Sequence, residues 1–271
     1  MRIVHRIGLR ASQAQQRQLE ALGVRPPKGV VLPGGGDPLL AFDVDEEHPH
    51  WPKLEDLFQQ WNVSDVLRTE FSKREVDSAR WLEIGAWHHG YPQPEEDAFG
   101  YRQATYDLAD WCEACGTGKR QKASFQMKGE PAWGRNGILQ LTWVYDELFV
   151  TPQVWSGVFK ERGVAFRPVM STRGVELATV VQIVIEDEVG IVSGELSFER
   201  CAACARSKYS PVTRGPFPAL TDEPPHAIAR TREYFGSGGQ ADKCVLIAQD
   251  IARALATARV CGAVLRPVKA S

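Results

Sequence analysis

Six cysteines stand in the chain, and four of them form two Cys-x-x-Cys pairs, Cys112-Glu113-Ala114-Cys115-Gly116 and Cys201-Ala202-Ala203-Cys204-Ala205. Two residues between thiolates let a tight turn aim both sulfurs at one tetrahedral ion, so this spacing is that of a zinc knuckle. A glycine after the second cysteine eases the positive φ of that turn. Gly116 supplies it in the first pair, whereas Ala205 stands there in the second. Two half-sites in one chain imply one shared, closed set of four thiolates, Cys112, Cys115, Cys201 and Cys204, holding one structural Zn2+. Ordinary buried thiols or a redox pair are the alternative, but neither motif opens a helix after a buried strand as a redox motif would. Cys244 and Cys261 sit beside Val245 and Val260 and read as plain core residues.

Residues 116–200 separate the pairs, far more than a compact zinc ribbon holds, so the intervening chain must be a folded insertion. An internal repeat runs through this region. Leu148-Phe149-Val150-Thr151-Pro152, a helical stretch through Trp155, Val158 and Phe159, and Gly163 to Val169 form the first copy. The second has Val245-Leu246-Ile247-Ala248-Gln249, a helical stretch through Ile251, Ala254 and Leu255, and Gly262 to Val268. Both read as strand, helix, glycine, strand, and both end in Arg-Pro-Val, at Arg167 and at Arg266. Each copy lies downstream of one Cys-x-x-Cys pair, which again favours a shared metal.

Other chemistry is thinner. Lys119, Arg120 and Lys122 follow the first knuckle, with Phe125 and Trp133 beyond them, and this is the pattern that zinc ribbons present to nucleic acid. It is equally the pattern of a solvated face. His88-His89 with Glu95, Glu96 and Asp97 offers an acid/base set, but adjacent histidines point apart on a regular element, and the prolines around them indicate a loop. Gly236-Ser237-Gly238-Gly239 lacks the lysine and hydroxyl residue of a phosphate loop and reads as a flexible connection. No G-x-S-x-G elbow occurs.

The elements that must carry these residues follow from hydrophobic period and punctuation. Arg2 to Leu9 reads as a strand, Ser12 to Leu22 as a helix ended by Gly23, and Leu39 to Val44 as a strand. Trp51 to Trp61 sets Leu54, Leu57, Phe58 and Trp61 on one helical face; Val63 to Phe71 is a strand, and Ser72 opens a helix. The expected class is α+β, with an N-terminal α/β module over 1–86 and a double-CxxC zinc-binding domain with two related strand-helix-strand halves over 87–271.

The chain has 271 residues, 43% hydrophobic and 24% charged, enough for two domains, and 32 Lys plus Arg nearly balance 34 Asp plus Glu. A formal net charge of -2 supplies no whole-protein field toward phosphate backbones or anionic lipid. No apolar run approaches a membrane span, and the start lacks a signal peptide's apolar stretch, so the expectation is a cytoplasmic protein with reduced cysteines and no membrane partner.

On Trp111-Cys112-Glu113-Ala114-Cys115-Gly116, Cys201-Ala202-Ala203-Cys204 and the closing stretch Val245 to Val268, the chain resembles the double-CxxCG motif proteins of myxobacteria, over roughly residues 107–268. Some of these are regarded as immunity proteins against toxins passed between neighbouring cells. The resemblance implies a protein that binds a cognate toxin through a rigid complementary surface and needs no catalytic group of its own. Two other classes are the alternatives: a nucleic-acid-associated zinc-ribbon protein using Lys119, Arg120, Lys122 and Trp133, and an enzyme using the His88-His89 loop.

Overall fold

The computed structural model of the chain describes residues 1–86, 101–142 and 144–270. His88, His89, Glu95, Glu96 and Asp97 lie outside the described residues. The fold is α+β, and the chain divides into two compact units, Met1–Lys73 with Val212–Pro216, and Arg74–Pro211 with Phe217–Ser271.

In the first unit, strands β1 (Arg2–Arg10), β2 (Leu39–Asp45) and β3 (Ser64–Glu70) alternate with helices α1 (Gln13–Ala21) and α2 (Trp51–Gln60). Ser12 caps α1 in a capping box with Gln15, and Pro52 enters the first turn of α2, where its missing N–H costs nothing. Strands and helices alternate as expected, yet β1 pairs antiparallel with both neighbours, so this is an α+β rather than a βαβ module. Period-2 alternation sends Leu40, Phe42 and Val44 of β2 inward against Ile7, Leu19, Leu54 and Phe58. Each such burial contributes about 1.5–3 kcal/mol. The opposite face is a charge ladder in which Asp43 bridges Arg6 at 2.9 Å and Arg68 at 2.8 Å.

A return of the chain far along the sequence completes this unit. Thr69 Oγ1 donates to the Thr213 carbonyl at 3.0 Å and accepts from Gly215 N–H at 2.8 Å, while Arg214 grips Glu46 through both terminal nitrogens. Five residues with no apolar pattern carry no sign of this in their own sequence.

In the second unit, helix α3 (Lys73–Ser78) leads into β4 (Trp81–Ala86), which moves the boundary from 86/87 to 73/74. The reason is pairing: β4 is an inner strand of the second unit, and its Leu82 and Ile84 are buried in that unit's core. Helix α4 (Tyr101–Thr105) and strands β5 (Tyr106–Asp107), β6 (Arg120–Gln121), β7 (Gln126–Met127), β8 (Ile138–Leu141) and β9 (Val144–Val150) follow. Helix α5 (Pro152–Val154) continues as a π turn and a 3-10 turn to Arg162, and β10 (Phe166–Ser171) and β11 (Glu176–Ile183) come next. Then run β12 (Glu188–Val189), β13 (Phe198–Arg200), β14 (Ser207–Tyr209), β15 (Ile228–Thr231), β16 (Tyr234–Phe235), β17 (Val245–Ala248), α6 (Gln249–Thr257) and β18 (Ala263–Pro267).

The repeat is present in the pairing. One sheet has the order β7-β10-β11-β9-β8 and the other β12-β15-β17-β4-β18. In the first, β9 and β10 flank antiparallel β11; in the second, β17 and β18 flank antiparallel β4. Arg167 faces Gln182 as Arg266 faces Glu83. Each flanked strand, β11 and β4, precedes the Cys-x-x-Cys hairpin of the other copy, so the two copies have exchanged a strand. Neither sheet is continuous without the other copy, the relation found in strand-swapped dimers, here within one chain. Both sheets feed one core in which Leu82, Ile138, Ile183 and Ile247 are fully buried.

Candidate metal centre

Each knuckle is the tip of a short hairpin. Strands β5 and β6 pair Tyr106 with Gln121 and Asp107 with Arg120 around the first; β13 and β14 pair Phe198 with Tyr209 and Arg200 with Ser207 around the second. The turns repeat each other bond for bond. Gly116 N–H donates to the Cys112 carbonyl at 2.7 Å and Ala205 N–H to the Cys201 carbonyl at 2.8 Å. Cys112 N–H donates to the Thr117 carbonyl and Cys201 N–H to the Arg206 carbonyl, both at 2.9 Å. Both post-cysteine residues are left-handed, Gly116 at φ 81 and Ala205 at φ 60. Only position 116 demands glycine for space as well, because a Cβ there would lie 2.3 Å from the Gly239 carbonyl oxygen.

The hairpins bring the four predicted sulfurs together across the two copies. Cys112 Sγ lies 3.8 Å from Cys201 Sγ, Cys115 Sγ lies 3.6 Å from Cys204 Sγ, and all four lie within 4.8 Å of one another. A tetrahedral ion with metal–sulfur bonds of about 2.3 Å sets its sulfurs about 3.8 Å apart, so the donor set fits. All six cysteines are free thiols. Cys112, Cys115, Cys201 and Cys204 therefore form a four-thiol cluster able to hold a metal ion. With four protein ligands, a tetrahedral shell has no place for water or substrate.

Electrostatics around the cluster suit thiolates. Burial resists ionisation of Cys115, but bonds from the Thr117 hydroxyl and N–H and from Cys204 outweigh it and bring its pKa down to about 6. The N–H of Cys115 favours the Cys112 thiolate, yet desolvation and the three neighbouring sulfurs push Cys112 up to about 11. Four thiols this close cannot all ionise unless a cation is shared among them. Such a shell around a divalent ion carries a net charge of −2, and two cations stand beside it. Lys208, 1% exposed, donates through Nζ to the Cys115 carbonyl at 3.3 Å, to the Gly238 carbonyl, and pairs with Glu199 at 3.1 Å. Arg206 donates to the Asp110 carbonyl at 2.6 Å and to the Thr117 carbonyl at 3.4 Å.

Lys208 and Arg206 carried no sequence signal, since single cations in a short polar strand look like surface. Gly236-Ser237-Gly238-Gly239 is more than a flexible connection: Gly236 N–H bonds the Tyr209 carbonyl at 3.0 Å, and Gly239 abuts Gly116. Cys261 is exposed rather than in the core, and Cys244 is half-buried beside Glu83.

The cations named for nucleic acid are mostly engaged. Lys119 pairs with Asp242 at 3.7 Å over the Tyr106 ring, and Arg120 pairs with Asp110 at 3.4 Å, while Lys122 is exposed. Trp133 packs against the core and donates its indole N–H to the Thr179 carbonyl at 3.0 Å, and Phe125 is fully buried. The Phe125 ring therefore has no free face for base stacking, whereas Trp133 is half-buried. No helix among the described residues is long and apolar enough to cross a membrane. No family model matches the chain, and no curated protein matches it.

Proposed function

We propose that this chain is a zinc-containing binding protein of the immunity type, whose single zinc staples the two copies into one rigid frame for docking a toxin. The observation that carries the zinc is the geometry of the cluster: one Cys-x-x-Cys pair from each copy and four sulfurs at tetrahedral spacing, with Arg206 and Lys208 bonded to the backbone of the first knuckle. Such a closed shell supplies folding free energy and leaves no position for catalysis. Zinc is favoured over other ions because four thiolates in a tetrahedral arrangement suit its soft, geometry-indifferent d10 shell, with iron as the competing ion. A docking role draws on the resemblance carried by the two motifs and on the cross-bracing, since rigid surfaces lose less entropy on binding.

Two measurements test the two parts. Elemental analysis after reducing, chelator-free purification is expected to give about one zinc per chain; iron, or no metal, removes the zinc reading. Co-expression with the product of the neighbouring gene is expected to restore growth when that product is toxic, and Cys112→Ser is expected to abolish the rescue. A non-toxic neighbour, or toxicity that the wild-type chain leaves unrelieved, removes the immunity reading and leaves the zinc in place.

A further inference from the structure

The duplication supplies an internal control for a cleft that neither copy's Cys-x-x-Cys pair explains. By register, Glu83 holds the station of Gln182, since each faces the arginine of an Arg-Pro-Val segment. Cys244 precedes Leu246 as Glu147 precedes Phe149, and Gln140 follows Leu139 as Arg230 follows Ala229. The first copy's station is closed. Glu147, 3% exposed, accepts from Gln182 Nε2 at 2.7 Å and pairs with the Arg230 guanidinium at 2.7 Å, and Arg230 Nε is held by the Asp146 carbonyl at 3.0 Å.

The second copy's station is not filled in this way. The Cys244 thiol hydrogen-bonds Glu83 beside it and brings no charge, and Gln140 accepts from Ala86 N–H at 2.9 Å and donates to the Tyr145 carbonyl. No guanidinium is among the residues that line it, and the one ammonium that does, that of Lys243, is paired with Glu188; a cavity of about 350 Å³ remains, bordered by Glu83, Gln140, Tyr145, Phe235, Asp242 and Cys244. Its carboxylates are poorly compensated. Arg266 approaches Glu83 at 3.4 Å and Lys119 approaches Asp242 at 3.7 Å, while Asp242, 6% exposed, has one carboxylate oxygen that receives no hydrogen bond among the described residues. Burial raises the pKa of Glu83, and it pushes Asp242 up to about 6 with help from Asp146. Burial acts on Glu147 in the filled station in the same direction, so what sets this cleft apart is its open space and the unbonded Asp242 oxygen.

We infer that this cleft is a binding site for a small organic cation, a guanidinium, amidinium or primary ammonium on an apolar body, which supplies the charge that Arg230 supplies in the sister station. The cation faces Glu83 and Asp242, and the apolar body lies against Tyr145 and Phe235. Exposed Ser237 stands in the lining of the cleft and marks its open side. The inference is independent of the metal's identity and of any toxin.

Isothermal titration of the metal-loaded full chain with benzamidine, and with benzyl alcohol as the uncharged counterpart, tests it. Benzamidine is expected to bind at one per chain, at least about tenfold more tightly than benzyl alcohol, the difference a charge-assisted hydrogen bond makes. Glu83→Gln is expected to weaken benzamidine by about tenfold. Ser237→Trp blocks the opening from an exposed position without touching the core and is expected to abolish binding. Thermal midpoints and metal content measured on the same samples show that each variant is folded and loaded. Equal affinity for the two probes, absence of benzamidine binding to folded wild-type chain, or unchanged binding to folded Ser237→Trp would each overturn the assignment.

Discussion

Phe125 and Phe217 occupy the same station in the two copies: each carbonyl accepts the N–H of the residue that follows an Arg-Pro-Val segment, from Met170 at 2.9 Å and from Lys269 at 2.8 Å. Both rings are fully buried. The correspondence thus extends from the hairpins that carry the cysteines to the strands that close the sheets, and the metal cluster lies where the two copies meet. A strand exchange and a four-thiol cluster able to share one ion tie the copies together, so their stabilities are expected to be inseparable.

Replacing Cys112 or Cys201 with serine tests that coupling. Structural zinc contributes on the order of 10 kcal/mol to folding, which is comparable to the whole stability of a domain. Either variant is expected to lose the metal and to unfold the second unit as one body, seen as loss of its amide-exchange protection. A variant that keeps its zinc and its thermal midpoint would show that the fourth sulfur is dispensable.

The two post-cysteine residues predict opposite responses. At 116 a new methyl would meet the Gly239 carbonyl oxygen at 2.3 Å, a backbone atom that cannot swing aside. Ala205 already bears a Cβ in a left-handed conformation that costs an L-residue about 1–2 kcal/mol. Gly116→Ala is therefore expected to destabilise the chain by more than about 2 kcal/mol, and Ala205→Gly to leave it unchanged or raise its stability by up to about 1 kcal/mol. Urea midpoints of the two variants check this, and a tolerated Gly116→Ala would mean that the Gly239 loop does not pack on the knuckle.

How much of this could be read beforehand depended on range. The strands and helices of residues 1–73 announce themselves by local period, as Leu40, Phe42 and Val44 alternate and Leu54 and Phe58 recur at helical spacing. The four clustered cysteines and the Arg-Pro-Val repeat were legible for the same reason. Partnership between distant segments was not. Trp81 to Ala86 fell within the expected N-terminal module, and only its pairing with Val245 to Ala248 and Ala263 to Pro267 assigns it to the second unit. Lys208 looks like any strand lysine until the Cys115 and Gly238 carbonyls are placed around its ammonium group.

Lys208→Met retains much of the buried stem and removes the charge. Two carbonyls lose a donor, at about 1–3 kcal/mol for each group left unsatisfied, and the thiolate shell loses one of its two neighbouring cations. The variant is expected to fold with zinc bound but to surrender it to a chelator at least about tenfold faster, since about 1.4 kcal/mol already corresponds to tenfold. Zinc release followed with a metallochromic indicator measures the rate. An unchanged rate would mean that Arg206 alone offsets the shell's charge.

The last expectation concerns pH. Burial raises the Glu147 carboxyl from 4.5 to about 7 against the pull of Arg230, so across that interval the folded chain holds a proton that the unfolded chain has released. Stability from this group is therefore fully present below about pH 4.5, declines as pH rises through the interval, and levels off above about pH 7. Asp242, raised to about 6, acts in the same direction. Glu147→Gln keeps an oxygen to accept from Gln182 and has no proton to lose. Relative to that variant, wild-type chain is expected to lose stability between about pH 5 and pH 8, on the order of 3 kcal/mol, since each tenfold change in proton affinity corresponds to about 1.4 kcal/mol. Denaturant midpoints at four values from about pH 5 to about pH 8 for both proteins give the difference curve. A difference that stays flat over this range would mean that Glu147 is already ionised in the folded chain at the acid end, held so by Arg230. A difference that grows in favour of the wild type as pH rises would mean that the Arg230 pair more than offsets the cost of burial.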